Sequence, residues 1–326
     1  MPVSRAKIKL PVNLPSSGLV VDRPAEFVDP RSVVNTQNME YNRGIIRKRL
    51  GTSLMGSSMG ERVMAMFELN LGGTTRLCRV GLTKFQAYNK ATSVWSDYAY
   101  TPLTGTAEDP VSYAFPTLNG SRIAVYSNNV DAIRKVLISN DDAALGGSPP
   151  IAKFMQAVGP YLLLANVTDS GNLYPSRVQW CDTGNPELWT PASDNNAGSQ
   201  DLLDDPEDIT GLGMFGNLVT VHKPYSIYTG YLTTTGAVFQ FVRQVTGVGA
   251  VSGATIQTLP TGEQIFLGSD GIHLFNGITA PLIRSPIWDE IREEMNPEYS
   301  YKAQSVFVKE LDEYWVCVPL GSDTEP

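Results

Sequence analysis

The chain has 326 residues, 42% of them apolar, with 25 basic and 33 acidic side chains and a net charge of −8. That apolar content is enough for a substantial core, while mean hydropathy is −0.12 and no apolar run approaches the roughly 18 residues of a membrane-spanning helix, so no membrane insertion is expected. The acidic surplus argues against a nucleic-acid-binding surface over most of the chain, although a protein that DNA passes without sticking would look the same.

The start, MPVSRAKIKLPVNLP, carries basic residues with no apolar segment behind them and no small-residue cleavage site, so it does not read as a signal peptide. Residues 1–60 read as an N-terminal extension. Leu19-Val20-Val21 is too short for a secure strand. Within Asn35–Gly51, NTQNMEYNRGIIRKRLG, the triplet Asn42-Arg43-Gly44 predicts a hairpin turn between NMEY and IIRKR. Arg43, Arg47, Lys48 and Arg49 form the one dense basic patch, with Arg47 and Arg49 on one strand face and Lys48 on the other. Two readings stay open for it: a solvated strand edge that discourages aggregation, or an interface with an acidic partner or with phosphate. Leu54–Glu61 reads as a flexible join. It holds a GxSxG match, Gly56–Gly60, without the preceding strand and following helix that a nucleophile elbow needs.

From residue 61 to 326 a repeat takes over. Strand-like runs begin at Met64, Val111, Ile151, Ile209, Ala254 and Tyr301, each ends in a turn signal, and each is followed by a second apolar run: TRLCRVGL, SRIAVYS, YLLLANV, LVTVHK, QIFLGS and EYWVCVPL. A strands-only period in the forties is that of β-propeller blades. The predicted fold is all-β: a propeller of about six blades with an extended N-terminal segment. Thr190–Asp208 reads as an exposed polar insertion. Pro286–Met295 predicts one short peripheral helix, with Ile287, Ile291 and Met295 on one face. The last unit stops after two strands, so its blade is incomplete. The N-terminal segment, a continuation of the chain or a neighbouring subunit is expected to complete it.

Candidate chemistry is sparse. His222 and His273, the two histidines, sit inside strands and read as structural. Asp201, Asp204, Asp205, Glu207 and Asp208 do not have the spacing of a calcium loop. Cys78, Cys181 and Cys317 lie far apart without a CxxC pattern, which predicts free thiols in a reducing compartment. No catalytic, cofactor or metal site is expected, and the chain does not read as an enzyme. Trp95, Trp180, Trp189, Tyr225, Tyr228 and Tyr231 could serve as sugar platforms, which keeps a carbohydrate-binding propeller for host attachment as the alternative reading.

Several segments together resemble one group of proteins: FVDPRSVVNTQNMEYNRGIIRKRLG, VQWCDTGNPELW, ITGLGMFGNLVTVHKPYSIYTG, VTGVGAVSGATIQTLPTGEQIFLGSDGIHLFNG and DEYWVCVPL. In order and spacing they are similar to the β-propeller tail proteins of tailed bacteriophages, the tail hub or nozzle proteins of short-tailed phages that are also described as packaged-DNA stabilisation proteins. The resemblance covers most of residues 19–320. It implies a non-enzymatic virion component, made in the host cytoplasm and placed in the tail. It further implies a ring of copies, often six, that meets portal, adaptor and other tail proteins and continues the channel through which double-stranded DNA transiently passes.

Overall fold

The computed structural model describes residues 19–20, 24–29, 32–33, 39–42, 45–48, 53–98, 101–137, 142–233, 238–285 and 288–326. The chain divides into two compact units, one of Met1–Ser53 with Arg284–Met295 and one of Leu54–Ile283 with Asn296–Pro326.

In the smaller unit, β1 (Met39–Asn42) pairs antiparallel with β2 (Ile45–Lys48). Asn42 stands opposite Ile45, Glu40 opposite Arg47 and Met39 opposite Lys48, the pairing expected of the two predicted strands, while Arg43 and Gly44 of the predicted turn lie outside the described residues. Leu19 forms a single parallel bridge to Val33. The helix α1 spans Trp288–Glu294. The first two residues of its predicted span, Pro286 and Ile287, lie outside the described residues.

The larger unit is a β-propeller of antiparallel sheets. Its first blade is β3 (Val63–Leu71), β4 (Thr74–Gly81), β5 (Phe85–Asn89) and β6 (Val94–Asp97). The second begins with β7 (Ser112–Ala114), detours through a small hairpin of β8 (Thr117–Leu118) and β9 (Ser121–Arg122), and returns as β10 (Ala124–Ser127), β11 (Arg134–Val136) and β12 (Asp142–Ala144). The third is β13 (Ile151–Val158), β14 (Tyr161–Asp169), β15 (Asn172–Trp180) and β16 (Gly198–Asp201). The fourth is β17 (Gly211–Phe215), β18 (Leu218–Lys223), β19 (Ser226–Leu232) and β20 (Phe239–Thr246). The fifth is β21 (Gln257–Thr258), β22 (Gln264–Leu267), β23 (Ile272–Phe275) and β24 (Leu282–Ile283). A final pair, β25 (Gln304–Val308) and β26 (Glu313–Cys317), forms a two-stranded sheet. The complete blades thus number five, not about six: among the described residues β26 pairs only with β25.

Turn chemistry explains the regularity. Gly72 and Gly73, at φ 55° and 78°, join β3 to β4, the double positive φ that a two-residue turn needs to match the strand twist. The second strand of the third blade is sandwiched between neighbouring blades, so both of its faces are dry and residues 161–167 are buried throughout. On β14, Leu162, Leu163 and Leu164 are each 0% exposed. Leu163 and Ala165 pack with Val219, Val221, Tyr228 and Phe239 of the fourth blade. Leu162 and Leu164 face the other way, to Val125 and Ile133 of the second. Strand alternation therefore sends successive residues of one apolar run into different inter-blade cores.

Three expectations are corrected. Leu54–Glu61 is not a flexible join. The Trp95 indole donates to the Met55 carbonyl at 2.8 Å, the Arg79 guanidinium lies 4.0 Å over that indole and donates to the Ser57 carbonyl at 3.1 Å. The Glu61 carboxylate accepts from Thr83 and Lys84 amides at 3.0 Å each. Thr190–Asp208 is not wholly an exposed loop, because it supplies the outer strand β16 and buries Leu202. A polar composition hid this, since an outer strand needs backbone partners more than apolar side chains. The run VSYAFPTLNG is not one strand: it divides into β7 and β8 around Phe115-Pro116, where proline lacks the N–H a ladder requires.

Candidate functional site: the axial cavity and its seam

The first strands of all six units, β3, β7, β13, β17, β21 and β25, converge on one cavity of about 460 Å³. Each contributes lining residues, because the inner strands of a propeller surround its axis. The wall includes Met66, Ser112, Gln156, Leu212, Gln257 and Gln304, a mixture of apolar and amide groups. Its charged members are Arg62, Lys153, Lys302 and Glu108. In a chain of net charge −8, this lining is locally basic.

At one rim the first, second and last units meet through a charge cluster. Lys302 Nζ lies 2.7 Å from Glu108 Oε1 and 3.1 Å from Glu325 Oε1. Arg62 pairs with the same Glu325 oxygen. The Tyr301 hydroxyl donates to Glu108 Oε2 at 2.5 Å. The Lys302 side chain is only 6% exposed, against 53% for Glu108 and 41% for Glu325. Burial works against the Lys302 charge, but its bonds to Glu108 and Glu325 outweigh that and raise its pKa. The bond from Arg62, then that from Lys302, holds the Glu325 carboxyl below the usual carboxylate range. Glu108 is held low in the same way by Lys302 and Tyr301. Glu325 Oε2 is buried and has no hydrogen-bond partner. Among the described residues Lys153 has no ion pair; its ammonium lies 5.8 Å from the Phe154 ring centroid.

Of the basic patch singled out in the sequence, Arg47 and Lys48 lie on β2 and Lys48 is exposed; Arg43 and Arg49 lie outside the described residues. The sequence reading missed Arg62, Glu108, Lys153, Lys302 and Glu325. A usable signal existed: Arg62, Glu108 and Lys302 flank the starts of three aligned first strands, which all open at the same end of the ring.

The histidines are core residues. His222 is fully buried, with Nε2 3.4 Å from Gln264 Oε1, and burial pulls its pKa down to about 4. His273 sits between Asp270 Oδ1 at 2.7 Å and the Ala280 carbonyl at 2.8 Å. Burial pushes the Cys78 thiol up to about 12 and Cys181 to about 11, which makes both poor nucleophiles, while Cys317 is exposed. Asp201 takes a bidentate contact from Arg177 at 2.7 and 3.0 Å. Of the six aromatic candidates for sugar stacking, Trp95, Trp180, Trp189 and Tyr228 are core, and Tyr225 and Tyr231 are exposed.

No family profile matches the chain, and no curated protein matches it. Solved structures do resemble it. The extracellular domain of the hybrid two component system BT3049 from B. thetaiotaomicron aligns with a TM-score of 0.52 at 12% identity, over 86% of this chain and 35% of that one. The corresponding domain of BT4673 from the same organism gives 0.51 at 11%, over 81% and 33%. The chain thus spans about a third of the length of those domains. The Neurospora crassa Pan2 WD40 domain aligns at 0.40 with 8% identity, over 68% and 65%, a likeness too low to carry an argument. At such identities the shared feature is the propeller fold alone.

Proposed function

We propose that the chain is a non-enzymatic structural component of a bacteriophage tail, a hub or nozzle subunit made in the host cytoplasm that helps retain and eject the packaged genome. The observation that carries this reading is the two-stranded last sheet, in which Val306 is 49% and Trp315 41% exposed. Sheets that present apolar faces are hazards that proteins cover by assembly. The N-terminal segment, a continuation of the chain or a neighbouring subunit could cover this sheet, and the ring reading uses the last of these. Heterologous head-to-tail contacts close into rings, and six copies is the number the family resemblance implies.

The axial cavity supports the same division of labour. Its 460 Å³ equals a cube about 8 Å on a side, whereas the major groove of duplex DNA is itself about 12 Å wide. Genome passing such a ring would run between copies, not through a propeller, and the net charge of −8 would limit phosphate neutralisation and sticking. The patch at Arg43, Arg47, Lys48 and Arg49 would then contact portal, adaptor or other tail proteins, or brake the DNA locally.

Light scattering and electron microscopy of the purified chain at high concentration, with and without its adaptor, test the proposal. A cyclic assembly, and particles lacking the chain that lose their DNA, are expected. A persistent monomer together with normally infective particles lacking the chain would sink the reading. Glycan-array binding that depends on the exposed Tyr225 and Tyr231 would instead promote the attachment alternative.

A further inference from the structure

We infer that Arg62 and Lys302 form a carboxylate-recognition site for an acidic peptide at the rim of the axial cavity, and that Glu325 of the segment Gly321–Pro326 fills it in cis. The inference does not depend on the tail assignment.

Four observations converge. The two cations come from opposite ends of the larger unit, residues 62 and 302, yet they address one carboxylate oxygen, Glu325 Oε1. Lys302 is nearly buried, 6% exposed, so its charge is fixed in place and partly stripped of water. That makes it a stronger partner for an anion than a surface lysine. Glu108 also pairs with Lys302, through Oε1 at 2.7 Å, which leaves one positive charge of the Arg62–Lys302 pair for a second carboxylate. The present occupant also fits imperfectly. Both cations fall on Oε1, while Oε2 is buried without a partner, and an orphaned buried carboxylate oxygen is a penalty that another occupant, presenting both oxygens, would avoid.

The segment that delivers Glu325 is lightly held. Its other described bonds are the Asp323 amide to the Leu320 carbonyl at 2.9 Å and the Asn296 side-chain amide to the Asp323 carbonyl at 3.0 Å. A tether of five residues beyond Leu320 gives the cis carboxylate an effective concentration of about millimolar. An acidic peptide in trans must exceed that or bind better. Glu325 therefore acts as a built-in competitor, and displacing it frees Arg62 and opens the rim of the cavity that Lys302 and Arg62 line.

The test uses the full chain carrying Glu325→Gln, with circular dichroism to confirm the fold, and a fluorescent peptide GSDTEP. The peptide is expected to bind the E325Q chain at millimolar concentration, at least tenfold more tightly than wild type, and to weaken as salt is raised. The control peptide GSDTQP is expected not to bind. Equal binding to both chains, equal binding of both peptides, displacement by an equal concentration of free glutamate, or no binding up to about 10 mM, several times the effective concentration of such a tether, each overturns the inference. If E325Q does not fold, Arg62→Gln in the otherwise native chain replaces it. Amide exchange across residues 321–325 should then rise at least tenfold, and unchanged exchange overturns the site.

Discussion

Lys223 Nζ lies 2.6 Å from Asp205 Oδ1, with the lysine wholly buried at the end of β18 and the aspartate in the polar segment that precedes the fourth blade. The ammonium also donates to the Leu202 carbonyl at 2.7 Å, the Asp205 carbonyl at 3.1 Å and the Ser176 hydroxyl at 3.2 Å. Asp205 Oδ2 in turn accepts from Ser226 at 2.6 Å and Tyr228 at 2.9 Å. Burial pushes this carboxyl up, but the bonds from Lys223, Ser226 and Tyr228 outweigh it and hold it below its ordinary range. One charge pair thus fastens the third blade's outer segment to the fourth blade.

Removing one partner leaves the other charged and buried. Asp205→Ala is expected to destabilise the fold by about 3–5 kcal/mol in urea unfolding. The double variant Asp205→Ala with Lys223→Met should recover most of that loss, because an apolar pair needs no desolvation. Additive losses in the double variant would contradict the network.

His222 sets an acid limit. Its folded pKa is depressed to about 4 against about 6.5 unfolded, so between those values the unfolded chain binds the extra proton. Its contribution is therefore fully present above pH 6.5 and is lost as pH falls toward 4. Lowering pH from 7 to 4.5 is expected to cost about 2–3 kcal/mol through this group, and His222→Gln should flatten that part of the stability profile. An unchanged slope in the variant would assign the acid sensitivity elsewhere.

Leu163 lies on β14 with both flanking faces dry. Leu163→Asp is expected to abolish soluble expression, since an unpaired buried carboxylate costs several kcal/mol. Wild-type yield and melting would show that the strand is not sandwiched.

Gly147 has φ +73°, and a Cβ there would stand 1.8 Å from the Glu187 carbonyl oxygen. Gly147→Ala should lower stability by more than about 1 kcal/mol, combining backbone strain with a clash that no rotamer relieves. The same substitution at Gly73, also at positive φ but with open space around it, should cost less. Equal effects at the two sites would remove the packing argument.

Much of the fold was legible because it is written locally. The repeat starts at Met64, Val111, Ile151, Ile209, Ala254 and Tyr301 fall within three residues of the observed first strands at Val63, Ser112, Ile151, Gly211, Gln257 and Gln304. Period-two alternation and turn residues such as Gly72-Gly73 depend on neighbours only, so they survive without knowledge of the whole. Blade completeness does not: Thr190–Asp208 looked like solvent-exposed loop, yet Gly198–Asp201 finds its ladder on β15. Nor could spacing show that Lys223 would be buried against a carboxylate, since Asp205 lies in the segment between the third and fourth blades.

The rim cluster marks the division most clearly. Sequence by itself determined that a succession of antiparallel sheets would form, and where each inner strand would begin. It singled out the one dense basic run, Arg43 to Arg49, because clustering is visible along a line. Arg62, Glu108, Lys302 and Glu325 belong to no basic or acidic run of the chain, and Tyr301 meets Glu108 across 193 positions. Only the accumulated rotation from sheet to sheet brings the two ends of the unit together. Which charges share one rim is thus a property of how the sheets are arranged around the axis, and tertiary structure alone decides it.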